Sequence, residues 1–408
     1  MRRVQIRKVA RLGTGHTPSR SVDAYWDPAE GAIPWLTLAD VWQLRDGTVS
    51  VVNETKEKIS PLGLANSAAV RHPAGTVAFS RTASVGFSCV LGTEMATSQD
   101  FVTWTCGPRL EPRYLLWVLR GERDDILRRT QGSTHKTIYM PDIEQLTIPL
   151  PPVDEQQRII RFLDRETARV DGVVERRVRM IKLLDDRVAS VRAAWWQGWA
   201  DHCGVVPLRR LGAQVEQGWS PRCDVVEAEP TEWGVLKTSS VSGNVFVPMK
   251  NKRLPDDVPV DRRWQVRDGD LLVVRGSGSL RAVGAAAVAQ PGDRLLTISD
   301  LLYRVRGLSG SPHFFANALQ APQVRQIIER TIRTDVGQAL KLRSSDVLDL
   351  PVPAVGTDRR TEAHGQLEDL MRPMTALRRR LIEQLELIRA HRISMIAGAV
   401  AGGIPVAA

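Results

Sequence analysis

The sequence predicts a mixed α/β (α+β) fold with a pseudo-twofold internal repeat, in which two similar modules alternate with two long helices. Three segments recur about 200 residues later in the chain, and each copy of the last one leads into a long amphipathic stretch. The pairs are 4–9 with 206–211, 75–81 with 269–275, and 148–151 with 350–353. Two similar working ends on one chain indicate a protein that recognises a bipartite target.

The repeat divides the chain into five segments. They are a first module at 1–152, a central long helix at 153–200, a second module at 201–354, a C-terminal long helix at 355–396 and a flexible tail at 397–408. Short β-like runs between Gly and Pro turns predict strands joined by loops in both modules. One helix is expected from Pro112 to about Arg129, and its counterpart lies at 314–319. Prolines between Pro141 and Pro152 predict an extended end to the first module.

Both long stretches place apolar residues at alternating three- and four-residue steps, which is the pattern of a coiled coil. Asp154 is a good N-cap, and Gln157 completes a capping box. At about 1.5 Å per residue, a helix over 154–197 is roughly 60–65 Å long. We expect the two helices to pack antiparallel. The central seam comprises Ile160, Leu163, Val170, Val174, Ile181, Leu184, Val188 and Val191, and the C-terminal seam comprises Leu367, Leu370, Met374, Leu377, Leu381, Ile388 and Met395. Thr167, Arg177, Gln384 and His391 interrupt these seams.

Composition points to a polyanionic partner. The 408 residues carry 56 Lys+Arg against 46 Asp+Glu, a net charge of +10, and most of the basic residues are Arg. This surplus favours nucleic acid first and a membrane surface second, with a basic but uncommitted surface as the alternative. Four widely spaced cysteines indicate unpaired thiols in a reducing compartment. We expect no signal peptide and no membrane span, and therefore a cytoplasmic protein.

Candidate DNA-contacting residues fall into three sets in each module. The first set is a loop with an Arg directly after a strand, which suits guanine or phosphate contact. The second set follows a glycine and offers hydroxyls and a cation. The third lies near the start of the module. In the first module these are Arg81, Thr82 and Ser84; Ser133, Thr134 and Lys136; and Thr14, His16 and Arg20. In the second they are Arg275, Ser277, Ser279 and Arg281; Lys341 alone; and Ser220 and Arg222. An ordinary solvated loop is the alternative for each set.

The sequence offers no catalytic motif. A phosphate-binding loop and a zinc-binding H-E-x-x-H pair are both absent from it, and its seven histidines are scattered. Asp27-Pro28-Ala29 is the nearest approach to an amino-methyltransferase signature and lacks its second proline and aromatic residue. No Pro-Asp pair is followed by the acidic-x-Lys element of a nuclease. We therefore expect no catalysis by the chain alone, with no metal site and no bound cofactor.

The chain resembles the specificity subunit of type I restriction–modification systems. The resemblance rests on the 80–86 loop, on Gly132-Ser133-Thr134-His135-Lys136, and above all on the 148–160 run, which reads IPLPPVDEQQRII and leads into a long helix. It implies two target-recognition domains joined by two antiparallel conserved helices. The second proline-rich run lacks the Asp-Glu-Gln-Gln element, and the second module lacks the Gly-Ser-Thr cluster.

The resemblance also implies a division of labour. This subunit would choose a sequence in double-stranded DNA, two modification subunits would methylate adenine with S-adenosylmethionine, and two restriction subunits can add ATP- and Mg-dependent cleavage. The helices and the coiled-coil seams would serve as docking surface. Modules roughly 50–60 Å apart would lie about 15–18 base pairs apart, which predicts a split, asymmetric site with an unread spacer. The alternatives are a stand-alone DNA-binding regulator, a catalytic fusion and a scaffold that binds only protein.

Overall fold

The computed structural model describes residues 2–27, 31–130, 136–332 and 340–404. They form two units. The first unit comprises Met1–Arg179 and Ile382–Ala408, and the second comprises Met180–Leu381. Each unit therefore contains one module, the beginning of the long helix that follows it and the end of the other long helix. The predicted order of module, helix, module and helix is confirmed, although the units divide each long helix between them.

Among the residues that the structure describes, the first module has ten strands and four short α-helices. The strands are β1 (Arg3–Gln5), β2 (Ala10–Thr14), β3 (Ile33–Leu36), β4 (Val51–Val52), β5 (Glu57–Ile59), β6 (Val77–Ser80), β7 (Ser88–Leu91), β8 (Ala96–Thr97), β9 (Phe101–Cys106) and β10 (Thr147–Pro149). The helices are α1 (Pro61–Ala65), α2 (Pro112–Gly121), α3 (Arg123–Leu127) and α4 (Met140–Glu144). The sheets have the orders β2-β9-β6-β7-β4, β5-β3-β8 and β1-β10.

The central long helix α5 covers Val153–Cys203, and the second module follows it. Its strands are β11 (Val205–Pro207), β12 (Gln214–Gln217), β13 (Trp233–Leu236), β14 (Val241–Ser242), β15 (Val245–Phe246), β16 (Asn251–Arg253), β17 (Leu271–Val274), β18 (Gly276–Ser277), β19 (Ala286–Val288), β20 (Leu295–Thr297), β21 (Leu302–Arg306), β22 (Leu340–Lys341) and β23 (Pro351–Pro353). Its helices are α6 (Pro312–Leu319), α7 (Pro322–Thr331) and α8 (Ser344–Leu348), and the C-terminal long helix is α9 (Arg360–Ala401). The sheets β12-β21-β17-β19, β16-β13-β20 and β11-β23 correspond to those of the first module, with four strands in the main sheet where the first module has five.

The central strand of each main sheet is buried on both faces. Val77 and Phe79 of β6 join the core beneath α2, whereas Ala78 joins a second core with Leu36 and Val41. Successive side chains of a strand point to opposite faces, so a strand covered on both sides reads as a continuous apolar run. β17 behaves in the same way, with its residues alternating between two cores. The repeat is therefore one of sheet order and of core arrangement.

Several short helices have a proline in their first turn, including one helix that the sequence did not predict. Pro112 stands in the first turn of α2, as expected, and Pro312 stands in the first turn of α6. The extended conformation predicted for 141–152 is wrong at its start, because Pro141 lies in the first turn of α4, where a missing N–H removes no helical hydrogen bond. The helix expected over 112–129 is divided at Glu122 into α2 and α3.

Near the start of each long helix, a buried polar side chain binds a loop of the same unit, and the two loops correspond to each other in the repeat. Gln156 accepts a hydrogen bond from Glu111 N (2.9 Å) and donates to Arg109 O (2.9 Å) and Pro151 O (2.9 Å). Arg360 donates to Ser309 O and to Val355 O (3.0 Å). The second module lacks the Gln-containing element, yet an arginine supplies the same contact from the start of α9.

Within each unit the two helix segments pair antiparallel. In the second unit Asp185 binds Arg378 (2.6 Å), and Trp195 Nε1 donates to Ala363 O (2.8 Å). In the first unit Asp171 binds Arg392 (2.9 Å). The later helix therefore runs backwards along the earlier one in the second unit. Every predicted seam residue of α5 is buried or half-buried, and Thr167 and Arg177 occupy seam positions as well.

The predicted C-terminal seam is wrong at alternate positions. Leu370 is 59% exposed and Leu377 is 43% exposed. One row of buried or half-buried residues instead comprises Leu367, Met371, Met374, Arg378, Leu381, Leu385, Ile388, Arg392, Met395 and Ala399. Counted from Leu367, successive residues of this row are four and then three residues apart, whereas the predicted seam had spacings of three and then four. Arginines stand at two of the inner positions, so a count of apolar residues alone favours the neighbouring leucines.

The predicted tail at 397–408 also begins too early. α9 continues to Ala401, and Ala399 and Val400 are buried in the core of the first unit. Gly121 of α2 makes this approach possible, because a Cβ there would lie 2.9 Å from Val400 Cγ2. Inside α9, Pro373 lacks the N–H that would bind the carbonyl one turn earlier, which favours a local bend.

Candidate nucleic-acid interface

Arg81 lies directly after β6 and braces the turn that connects β8 with β9. Its backbone N–H donates to Asp100 O (2.8 Å), and its Nε donates to Gln99 O (3.1 Å). One Nη atom reaches Ile138 O at 3.5 Å. A guanidinium has five N–H donors, so this bracing leaves donors available for a ligand. The predicted reading residue is thus also a structural support in the free protein.

Two of the sets predicted separately lie side by side in the first unit. Ala83 N donates to Lys136 O (2.9 Å), Ile138 N donates to Arg81 O (2.9 Å), and Thr82 forms a β-bridge with Thr137. Ala83 has a positive φ of 51°, which turns the loop back toward the sheet. Ser133 and Thr134, which belong to the second set, lie outside the described residues.

The third set approaches the same turn from the start of the module. His16 N donates to Thr97 O (3.0 Å), and Thr14 Oγ1 reaches Phe101 O at 3.5 Å. Asp100 stands at the centre, where its carboxylate accepts hydrogen bonds from the hydroxyls of Thr82 and Ser98 (3.1 Å for Ser98). The structure therefore brings described members of all three sets together near Ser98–Asp100, namely Thr14, His16, Arg81, Thr82 and Lys136, and this group is the first cluster.

The second unit contains a corresponding group of residues around Asp300, the second cluster. Arg275 N donates to Leu301 O (2.8 Å), and its Nη1 donates to Asp300 O (3.2 Å). Its Nε donates to the hydroxyl of Tyr303 (3.2 Å), which in turn donates to Leu342 O (3.1 Å). The short pair β18–β22 sets Gly276 beside Lys341. Arg275 and Lys341 thus adjoin, as Arg81 and Lys136 do.

Among the predicted hydroxyl groups of the second unit, one contacts Asp300 and the other two lie in the β18 turn. Ser220 donates to Asp300 through its hydroxyl and accepts from Asp300 N (3.1 Å), which joins the third set to the cluster. Ser277 Oγ accepts from Ser279 N (3.2 Å), so this pair shapes the β18 turn. Arg281 is exposed, and its carbonyl accepts from Arg325 (3.3 Å).

The structure turns Arg20 and Arg222 toward acidic neighbours. Arg20 binds Glu57 (2.7 Å) and lies over the Trp26 ring at 3.8 Å, and Arg222 binds Asp257 (2.7 Å). Both arginine side chains are more than half exposed, so these pairs are weak and are screened by salt. A phosphate can replace the carboxylate at either position.

Three cluster residues escaped the sequence reading, namely Asp100, Asp300 and Tyr303. A signal was present, because Thr97-Ser98-Gln99-Asp100 and Thr297-Ile298-Ser299-Asp300 stand 200 residues apart, close to the offset of the other repeated segments. Short turns of this kind carry no catalytic or binding motif by themselves. Only the tertiary fold shows that the predicted sets meet there.

Other kinds of site find little support in the described part of the chain. There, no three His, Cys, Asp or Glu side chains come together in a way that could hold a metal ion. Burial raises the pKa of Cys89 to about 12 and that of Cys106 to about 12, so these thiols stay protonated. Helices in residues 2–27, 31–130, 136–332 and 340–404 all fall short of the length and apolarity that crossing a membrane requires.

Comparison with known proteins gives a family for the first unit. Residues 2–171 match the model of the type I restriction modification DNA specificity domain, so this segment belongs to that family and the resemblance seen in the sequence is confirmed there. The specificity subunit of the Escherichia coli type I restriction enzyme EcoEI is 27% identical over 233 residues, which are 55% of this chain and 36% of that protein. The EcoR124I/EcoR124II specificity subunit of the same organism is 23% identical over 175 residues, 41% of either chain. The alignments thus span well under half the length of these relatives.

Similarity in fold extends over the whole chain. A solved structure described as the structural basis of complex assembly and conformational transition of the type I R-M system contains a chain with a TM-score of 0.58. The alignment covers 99% of this chain and 98% of that one at 16% identity. At this identity the likeness concerns the fold alone.

Proposed function

We propose that the whole chain, whose residues 2–171 form a type I specificity domain, is the specificity subunit of a type I restriction–modification complex. It reads a bipartite, asymmetric site in double-stranded DNA, one part with each unit. The observation that carries this proposal is the repeated cluster, in which an arginine, a lysine and hydroxyls surround an aspartate-containing turn in both units. Arginine and hydroxyl side chains supply the usual phosphate and base-edge contacts of DNA-binding proteins.

The chemistry would belong to partner subunits. Two modification subunits with S-adenosylmethionine methylate adenine, and two restriction subunits with ATP and Mg add cleavage, whereas this chain binds none of these cofactors. Exposed apolar side chains on the long helices support docking, namely Val178, Leu387 and Ile393 in the first unit and Leu183, Leu370 and Leu377 in the second. We place the complex in the cytoplasm, on the nucleoid DNA.

A methylome tests the proposal. The chain is expressed with a modification subunit of its system in a host without adenine methylation, and modified adenines are mapped by single-molecule sequencing. We expect one split motif with a fixed gap, methylated on opposite strands in its two halves. Soluble, complexed proteins that modify no motif would contradict the proposal.

The Arg81→Ala variant sharpens this test. Because Arg81 belongs to the first cluster alone, its loss should relax discrimination in one half of the motif by about 1–3 kcal/mol. Arg275→Ala is the matched variant and should affect the other half. Equal losses in both halves from either variant would show that the units do not read independently.

A stand-alone DNA-binding regulator is the second candidate, because each cluster is assembled from residues of a single unit and needs no partner chain. Binding to duplex DNA that falls steeply with salt is expected from either function. Stoichiometric co-purification with a methyltransferase would exclude the regulator.

A further inference from the structure

The aspartates at the centre of the two clusters differ in their hydrogen bonding. In the first unit, Thr82 donates to Oδ1 of Asp100 and Ser98 donates to Oδ2 (3.1 Å). Asp100 N also donates to the Ser98 hydroxyl (3.3 Å). Both carboxylate oxygens thus have protein partners, one in the 80–86 loop and one in the turn itself, and the side chain holds the first cluster together.

Asp300 uses only one of its carboxylate oxygens in this way. The Ser220 hydroxyl donates to Oδ1 and accepts from Asp300 N (3.1 Å), which fixes the carboxylate orientation. The Oδ2 atom has no donor among the residues that the structure describes. The side chain is half-buried, so this oxygen is accessible at the centre of the second cluster.

Arg275 does not neutralise the open oxygen. Its Nη1 binds the backbone carbonyl of Asp300 and its Nε binds the Tyr303 hydroxyl, so the guanidinium is directed past the carboxylate. A donor group and an acceptor group therefore stand next to each other at the surface proposed to face DNA. In the first unit Arg81 has no such neighbour, because the Asp100 oxygens are occupied.

A fixed carboxylate at a DNA-reading surface has a narrow choice of partners. It repels phosphates, and the bases offer it donors only on their exocyclic amino groups, which in the major groove are cytosine N4 and adenine N6. We propose that Asp300 accepts a hydrogen bond from such an amino group and specifies one base pair of the half-site read by the second unit, whereas Asp100 is a positioning residue. This inference rests on the proposed function.

Selection from randomised duplexes tests the assignment. The full-length chain, bound to its modification subunit where that is needed for solubility, is compared with its Asp300→Asn and Asp100→Asn variants. Asparagine keeps the shape but presents an amide where the open oxygen stood. We expect Asp300→Asn to change the preference at one base pair of the second half-site by about 5- to 150-fold. Asp100→Asn removes one of the two acceptors that Thr82 and Ser98 use, so it should weaken binding of the first half-site about evenly for all sequences and leave the base preferences of the second half-site within about twofold.

The first half-site serves as an internal folding control for Asp300→Asn, since that variant leaves the first cluster intact. Ser220→Ala supplies a second variant, which keeps the carboxylate but frees its orientation, and it should weaken discrimination at the same base pair only. An Asp300→Asn variant whose affinity changes evenly for all sequences, or whose preferences stay unchanged, would overturn the assignment. A wild-type complex that selects no split motif would contradict the proposed function as well.

Discussion

The two units have side chains of different charge at the corresponding position of the corresponding strand pair, neutral in the first unit and ionic in the second. In the first unit β2 pairs with β9 so that Gly13 faces Thr103, and in the second β12 pairs with β21 so that Glu216 faces Arg304. A Cβ on Gly13 would lie 2.7 Å from Thr103 Oγ1, so a side chain has no room there. The first unit fills the site with the neutral side chain of His72, whose Nδ1 lies 3.4 Å from Thr103 Oγ1.

The second unit fills the same site with a buried ion network. Arg304 is 2% exposed and binds Glu216 (2.7 Å) and Asp270 (3.4 Å). It also donates to Gln265 O (2.8 Å) and Arg263 O (2.7 Å). The same strand register thus accommodates neutral side chains in one unit and an ion network in the other. This shows that the alternation of apolar residues specifies the fold and that polar residues adapt to it.

Arg304→Met should have the largest effect on stability. It keeps much of the buried volume but leaves Asp270 without its cation and Glu216 with only the more exposed Arg306, which should cost the second unit about 3 kcal/mol. Hydrogen exchange of β12 and β21 peptides measures the loss, with β2 and β9 of the same chain as reference. Arg306→Met is the matched control, because Arg306 binds the same Glu216 (3.2 Å) from a more exposed position. Equal losses from both variants would show that burial of the network does not matter.

Gln156→Ala tests the tether at the start of α5 and should rank second. The variant leaves the buried carbonyl of Pro151 and the carbonyl of the more exposed Arg109 without this donor, and we expect a loss of about 2 kcal/mol in the first unit. Arg360→Ala should cause a similar loss in the second unit, because its contacts correspond. Gln157→Ala is the control, since Gln157 is exposed and its side chain binds Glu111 (3.1 Å) at the protein surface. Protection of β1 and β10 amides that is unchanged in Gln156→Ala would refute the tether.

His72 makes the stability of the first unit depend on pH. Burial lowers the pKa of His72, so folding favours the neutral imidazole. Its contribution to stability is present above the unfolded pKa near 6.5 and is lost as the pH falls from there through the lower folded value. Val266 occupies the corresponding position in the second unit, because its N–H donates to Leu296 O as the N–H of His72 donates to Met95 O. We therefore choose His72→Val as the test variant.

Exchange rates of β2 and β9 between pH 7 and pH 5 measure this effect, after correction for intrinsic exchange. The wild-type first unit should lose protection on acidification, and His72→Val should lose less. Exposed His391→Gln is the control and should follow the wild type. An identical acid response in His72→Val would assign the effect to other groups.

Local sequence patterns predicted the order of elements, the repeated arginine loops and the α5 seam, because each depends on neighbours along the chain. The α9 seam failed for a physical reason. Arg378 and Arg392 face inward and bind Asp185 and Asp171, so charged residues occupy positions that a heptad count assigns to apolar ones. The central aspartates were also missed, since turn residues become a site only when distant loops meet.

Leu370 offers the smallest expected effect and tests the corrected seam. Leu370→Gln should change the free energy of unfolding by less than about 0.5 kcal/mol, because the side chain is already exposed. Leu367→Ala removes a fully buried side chain and should cost about 3 kcal/mol. Both are read from hydrogen exchange of α9 and of the adjoining β23 and α6 peptides. A large loss in Leu370→Gln would restore the seam with steps of three and four, whereas an unchanged stability combined with weaker binding of the modification subunit would mark Leu370 as docking surface.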